Sequence, residues 1–497
     1  MYGDFSRVTY DPAKHYSSVL YQQGRVRLDA EDNELQAILR HGIRTALAEI
    51  FGNSATADDN GFAIGYDAGP NGGSLTIGAG SYYVDGIRVV NNPPHSSVPY
   101  WQQPYLLIDH DASTALPSGR FQVYLRVWER TVGPAQDPAL REVALGDLAP
   151  DTALRGQLVW QVLTGPVQLA PTSTSEGRWS PVEPSPALLM AQAKQPDPTQ
   201  QGPCTISPAS EYRGPENQLY RVEVHTGGQP GTATFKWSRD NGSVAVPVIQ
   251  LDAAVATVSS LGRDGKTAFE VGDTVELVDD RGTFALPGTA SRRLFQVAAV
   301  DTLDLTVTLS PPPTFTTDAT LHPILRRWDS PAPPLDDKTR QPVTTDGALP
   351  IREGEDVWLT LEDGVEVNFS RASAGDYVAR DYVAGDYWLI PARVATGDVE
   401  WPRSITGQPI PTSPRGIDYH YAQLAEVDPS SGNVTEQRNQ IVAISRPFST
   451  GGANKPVPAA PAPTAPTQHE AGVNPTAANR PEITPPVIFP GEPPADA

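Results

Sequence analysis

Phe121-Gln122-Val123-Tyr124-Leu125-Arg126-Val127-Trp128 alternates without a break. Phe121, Val123, Leu125 and Val127 point to one side of an extended chain, and Gln122, Tyr124, Arg126 and Trp128 to the other. A helix would scatter these residues around its circumference, so a period of two decides for a strand. The reading extends outward in both directions. Upstream, Leu75-Thr76-Ile77 and Tyr82-Tyr83-Val84 flank Gly78 and Gly80, and Asp85-Gly86 turns the chain into Ile87-Arg88-Val89-Val90 as a hairpin. Downstream, Leu158-Val159-Trp160-Gln161-Val162-Leu163 is a further strand. Residues 73–167 therefore read as a first β domain.

Residues 168–217 are rich in Pro, Ser, Thr and Gln and read as a linker or exposed insertion, with a short helix near Leu188-Leu189-Met190. A second β domain spans 218–329. It opens with Leu219-Tyr220-Arg221-Val222-Glu223-Val224-His225, and Asp240-Asn241-Gly242 supplies a turn. The Pro-rich stretch 330–349 precedes a third β domain, or the completion of the second, at 350–447. There Asp386-Tyr387-Trp388-Leu389-Ile390 is a strand ended by Pro391. Turns recur every 8–12 residues or so, as in sandwiches and barrels. Residues 449–497 are Pro-, Ala- and Thr-rich with few large apolar side chains. They cannot bury enough surface to offset ordering entropy, and a disordered or extended tail is expected. The fold class is mainly β: an N-terminal helical segment, two or three sandwich- or barrel-like domains, and that tail.

The helical segment is 1–52. Asp29 precedes the acidic turn Ala30-Glu31-Asp32-Asn33-Glu34. Leu35, Ile38, Leu39, Ile43, Ala46, Leu47 and Ile50 follow at three- and four-residue spacing, one apolar stripe, and Gly52 stops the helix. Gly42 lies on or near the stripe, where a close backbone approach by a neighbouring element would explain it. The stripe either covers one end of its own β domain or meets another subunit.

At 497 residues, three or four domains are expected. Pro (51) and Gly (42) are too frequent for a coiled-coil rod or a helical bundle. A net charge of −21 repels polyanions, so nucleic acid and anionic membrane surfaces are not expected partners. No apolar run is long enough to span a bilayer. Met1–Arg7 has no basic stretch leading into an apolar run, so no secretory signal is expected. The lone Cys204 excludes internal disulfide, structural zinc and iron–sulfur chemistry by count, and it has no paired base beside it.

Motifs for catalysis are missing. The eight histidines contain no H-E-x-x-H, and there is no G-x-S-x-G elbow, P-loop or dinucleotide fingerprint. Glu223 and His225 share a strand face without a third ligand. The acids in Asp279-Asp280 and Glu362-Asp363-Gly364 read as turn residues, and no glycosidase pair can be nominated among them. No catalytic, cofactor or metal residues are assigned, and no cofactor is expected. Asp-Tyr recurs every five residues at Asp376-Tyr377, Asp381-Tyr382 and Asp386-Tyr387, an odd period that puts successive aspartates on opposite strand faces. Trp128-Glu129-Arg130, Lys236-Trp237-Ser238-Arg239 and Arg326-Arg327-Trp328-Asp329 read as interface hot spots, or as strand-end tryptophans with a cation over the ring.

Met1-Tyr2-Gly3-Asp4-Phe5-Ser6-Arg7, His15-Tyr16-Ser17, Gln22-Gln23-Gly24-Arg25-Val26-Arg27-Leu28-Asp29-Ala30 and Asn33-Glu34 resemble the N-terminal signature of an uncharacterised family associated with phage-tail-like contractile injection systems. Further motifs follow in order: Val123-Tyr124-Leu125-Arg126-Val127-Trp128-Glu129-Arg130, Tyr220-Arg221-Val222-Glu223-Val224-His225, Ala233-Thr234-Phe235-Lys236-Trp237-Ser238-Arg239-Asp240-Asn241 and Tyr387-Trp388-Leu389-Ile390-Pro391-Ala392-Arg393. The resemblance covers about 1–447. It carries no reaction with it and implies membership of a contractile particle.

The expectation is a non-enzymatic structural component of such a particle: a peripheral baseplate or cage/fibre-attachment subunit. Its partners are baseplate, sheath or fibre proteins and further copies of itself. It is assembled in the cytoplasm and becomes extracellular in a released particle. Tyr2, Phe5, Tyr10, Tyr16, Tyr21, Leu35, Ile38, Leu39, Leu47 and Ile50 are the candidate anchors. The alternatives are a glycan- or receptor-binding module using Tyr377, Tyr382, Tyr387, Trp388 and Trp401 as stacking platforms, and a polysaccharide-cleaving enzyme.

Overall fold

The computed structural model describes residues 1–441 except 70–72, 108–114, 147–150, 168–171, 174–177, 195–210, 263, 287–292, 331–346 and 373–379. Of the two compact units, Met1–Val442 and Ala443–Ala497, the second lies outside the described residues. So do Cys204, Tyr377 and the expected tail.

The architecture is mainly β and opens with one long helix, Asp29–Phe51. The strand that decided the reading, Phe121–Val132, sits inside a four-stranded sheet ordered Asn433–Glu436, His420–Asp428, Phe121–Val132, Arg155–Pro166. Val123, Leu125 and Val127 are fully buried with Phe62, Tyr82, Trp160 and Leu424, each worth about 1.5–3 kcal/mol of transfer free energy. The opposite face is covered as well, since Gln122, Arg126 and Trp128 are also buried. Two three-stranded sheets complete this first body. One carries the Asp85-Gly86 hairpin, where both residues adopt positive φ (47° and 74°), as a tight primed turn requires.

The second body is a sandwich. Its five-stranded sheet is ordered Leu349–Pro350, Thr234–Ser238, Gln218–Thr226, Tyr387–Arg393, Asp398–Val399. A three-stranded sheet of Ala187–Ala193, Val365–Arg371 and Leu359–Thr360 contributes to the same core. The third body is a closed six-stranded barrel of Ala245–Asp252, Val255–Val258, Thr306–Ser310, Arg293–Asp301, Thr274–Val278 and Ile324–Trp328.

Several expected boundaries differ. Leu188-Leu189-Met190 is not helical: Ala187–Ala193 is a strand whose Ala187, Leu189 and Ala191 are fully buried, and it pairs with Val365–Arg371. Sheet pairing overrides the helix preference of Ala, Leu and Met, so 168–217 is not simply a linker. Gln218–Thr226 pairs with Tyr387–Arg393, so parts of 218–329 and 350–447 make one sandwich with the barrel inserted between them. His420–Asp428 returns to pair with Phe121–Val132 in the first body. The strand at 387 runs through Pro391, near the sheet edge, where its outer neighbour pairs only with Ala392 and Arg393.

Candidate functional site

Residues 1–28, ahead of the long helix, form a strap whose first residues reach all three bodies and enter a buried ionic cluster. Arg221 and Glu223 lie two apart on one strand, so both face the same way, toward Lys236, Glu276 and Arg326 on neighbouring strands. Arg221 Nε donates to Glu223 Oε2 at 2.7 Å. Lys236 Nζ lies 2.7 Å from Glu276 Oε1 and 3.5 Å from Glu223 Oε1. It also lies 4.2 Å from the centroid of the Trp328 ring, whose indole N–H donates to Glu276. The second and third Trp-cation motifs of the sequence therefore meet each other inside the protein.

Tyr2 inserts between cations. The Arg221 and Arg326 guanidinium carbons lie 4.0 and 3.7 Å from its ring centroid, and its hydroxyl donates to Glu223 Oε2 at 2.8 Å. Its N–H donates to Thr131 of the first body at 3.0 Å. Its ring packs on Gly242, whose positive φ and close approach exclude a side chain there. The Met1 side chain points outward, but its amine is inside and donates to the Tyr387 hydroxyl at 3.0 Å. Burial first, and then the Arg221 charge, push that amine well below its usual value. Farther along, Arg7 pairs with Glu400 and Arg393 donates to the Ser6 carbonyl. Tyr2 and the half-buried Phe5, expected as outward anchors, are bound within the chain instead.

The long helix has distinct sides. At about 100° per residue, Ala30, Arg44, Ala48 and Phe51 share one of them. Ala30 is buried, Phe51 packs on Tyr83 at 5.3 Å, Arg44 reaches Glu129 at 2.8 Å, and the Arg44 carbonyl lies against Gly86, where a Cβ would collide. Leu39, Ile43, Ala46 and Ile50 share the opposite side; Leu39, Ile43 and Ile50 are 51%, 62% and 69% exposed. Leu35 and Leu47 are half-buried at the flanks, and Ile38 is buried toward the strap.

A groove of about 630 Å³ runs between strap and helix. Tyr10, Tyr16, Ile38, Leu39, Gly42 and Ile43 line it. Gly42 meets nothing within 4 Å, so the close approach expected at this glycine is not made among the described residues. The strap's outer stretch adds exposed Tyr16, Leu20, Tyr21 and Val26; the Tyr21 hydroxyl is held by Asp32. Leu20 and Val26 were absent from the candidate anchors, whereas Ile43 and Ala46 belong to the apolar stripe read from Leu35 to Ile50.

The expected sugar platforms are interior. Tyr382, Tyr387, Trp388 and Trp401 are all buried. Tyr382 donates to Glu353, Trp388 to the Thr412 carbonyl and Trp401 to the Ile410 carbonyl, while Tyr387 stacks on Arg221 at 3.7 Å. Tyr387 and Trp388 lie on the strand that pairs with Gln218–Thr226, and Tyr382, Trp388 and Trp401 pack into the sandwich core, so none of the four presents a ring face to solvent. A second groove, of about 1160 Å³, lies beside the barrel; Phe284, Phe315, Arg281 and Arg293 line it, and Asp279 is the one lining carboxylate among the described residues. Burial pushes Glu362 and Asp386 up to about 7, but neither lines either groove. Among the described residues no three His, Cys, Asp or Glu side chains gather as a metal set, and no helix is long and apolar enough to cross a membrane.

The match to a family model covers residues 1–167 and 183–484, and so includes the strap, the helix and all three bodies. The chain belongs to a family of unknown function, DUF6519. No curated protein and no solved structure matches this DUF6519 chain.

Proposed function

We propose that this chain is a non-enzymatic assembly subunit of a contractile, phage-tail-like injection particle, and that it docks through the outer face of its N-terminal segment. One observation carries the docking: Leu39, Ile43 and Ile50 stand in solvent on a helix whose opposite side is pinned to the body. A contiguous exposed apolar face on a rigid element marks an interaction surface. The particle itself rests on the resemblance of the N-terminal signature and the ordered motifs. A peripheral baseplate or fibre-attachment position fits a subunit of rigid β bodies with a projecting docking helix. Assembly would take place in the cytoplasm, with export as part of a released particle.

The test is co-expression of the chain with its genomic neighbours, comparing wild type with a Leu39→Glu/Ile43→Glu variant. Both positions are exposed, so the variant is expected to keep the wild-type melting temperature. Its incorporation into the sedimenting assembly should fall at least about tenfold. Incorporation at the wild-type level would refute docking through this face.

A further inference from the structure

We propose that the occupant of this face is the same face of a second copy of the chain, with the two long helices packed antiparallel about a two-fold axis. The proposal rests on the docking reading above and names the partner. Leu39, Ile43, Ala46 and Ile50 are spaced four, three and four residues apart, a two-heptad seam. That seam is complementary to itself when reversed. Leu39 of one copy falls opposite Ile50 of the other, and Ile43 opposite Ala46, so each layer pairs a large side chain with one that fits beside it. A C2 contact needs this self-matching surface.

Charge chooses the direction. The helix begins with Asp29, Asp32 and Glu34 around Glu31, while Arg40 and Arg44 are drawn sideways to Glu129. Parallel pairing would set two acidic first turns side by side, each with Asp29, Glu31, Asp32 and Glu34 against the single Arg27 that pairs with Asp32. Antiparallel pairing sends them to opposite ends and opposes the helix dipoles favourably. The groove gives the incoming Ile50 a seat between Tyr16, Leu39 and Ile43, over the bare Cα of Gly42. Two short seams bury less than the roughly 800 Å² per partner of a standard interface. The exposed Tyr16, Leu20 and Tyr21 of the strap extend the contact, and a micromolar dimer is expected. Each chain carries −21, so added salt should tighten this dimer rather than loosen it.

Sedimentation equilibrium of the full chain up to roughly 200 µM should show a monomer–dimer equilibrium that strengthens as salt rises. Ile43→Glu should weaken it at least about a hundredfold. Gly42→Ala is the more diagnostic variant. It should raise the melting temperature, because Ala is the better helix former, while weakening dimerisation at least about tenfold by filling the seat of Ile50. In a Cys204→Ser background, an Ile43→Cys chain mixed with an Ala46→Cys chain should oxidise to a mixed disulfide. Self-linking of the Ile43→Cys chain alone in preference to that mixture would overturn the antiparallel arrangement. A chain that stays monomeric at all concentrations would overturn the dimer itself. If that monomer still needs Leu39 and Ile43 to enter the particle, docking stands and its occupant is a different protein.

Discussion

The hydroxyl of Tyr2 donates to the carboxylate of Glu223, 221 positions later in the chain, at 2.8 Å. Through this bond and the cations stacked on its ring, a residue of the strap becomes part of the core. Tyr2→Phe keeps the ring and should cost about 1–2 kcal/mol for the lost bond to a charged acceptor. Tyr2→Ala also removes the surface that Arg221 and Arg326 cover, and should cost about 3–5 kcal/mol. Urea unfolding reads both. Equal costs for the two variants would mean that the ring contributes nothing.

Lys236 is fully buried between Glu276 and Glu223. Lys236→Met removes the buried cation between the two carboxylates, leaving Glu223 to Arg221 and Tyr2 and Glu276 to the Trp328 indole, and should destabilise by about 3–5 kcal/mol. Adding Glu276→Gln removes one of the two buried negative charges, so the double variant should be more stable than the sum of the two single losses. A double-mutant cycle measures the difference, and strict additivity would contradict the coupling.

His420 sits 2.8 Å from Asp85 and 3.4 Å from Asp418. Burial opposes its charge, but hydrogen bonds to Asp418 and Asp85 prevail and push the ring up to about 9. The folded value lies above the unfolded value of about 6.5. Its stabilisation is therefore complete below about pH 6.5 and is lost as pH rises through about 9. His420→Gln should cost on the order of 2–3 kcal/mol near pH 6 and far less near pH 10. A pH-independent cost in chemical denaturation would reject the charged ring.

Asp386 shifts in the same direction for a different reason: here the charged form is disfavoured. Burial pushes it up to about 7, against the hydrogen bond from Ser185 and assisted by the charge of Glu223. The folded carboxyl holds its proton more tightly than the unfolded one. Its contribution thus worsens as pH rises from about 4, and the penalty is complete above about 7. Asp386→Asn keeps an acceptor for Ser185 and should stabilise by on the order of 1–3 kcal/mol near pH 8, with no gain near pH 4. Matching melting temperatures for variant and wild type near pH 8 would contradict this.

Local patterns carried most of the secondary structure. Alternation marked Phe121–Val132, Asp85-Gly86 marked a hairpin, and three- and four-residue spacing marked the long helix, because each signal is written within a few neighbouring residues. Connectivity was not legible. Nothing near His420 says that its strand will pair with Val127, some 300 positions earlier, and nothing near Tyr387 announces Glu223 as its cross-strand partner. The aromatic residues of the Asp-Tyr repeat misled for the same reason: a Tyr or Trp is equally at home stacking on a ligand or filling a sandwich. The long helix was half legible. Its apolar residues were visible, but which of them faced the body depended on Gly86, Glu129 and Tyr83, all supplied by other elements.

The strap also sets an order of events in the making of the protein. Tyr2 leaves the ribosome well ahead of its seat, which is built from Arg221, Glu223 and Arg326. It must wait, unsatisfied, until more than three hundred further residues have been translated and the sandwich and barrel have come together. Closure of that latch therefore comes only after the strands carrying Arg221, Glu223 and Arg326 exist, and Tyr2 in place reports that sandwich and barrel have met.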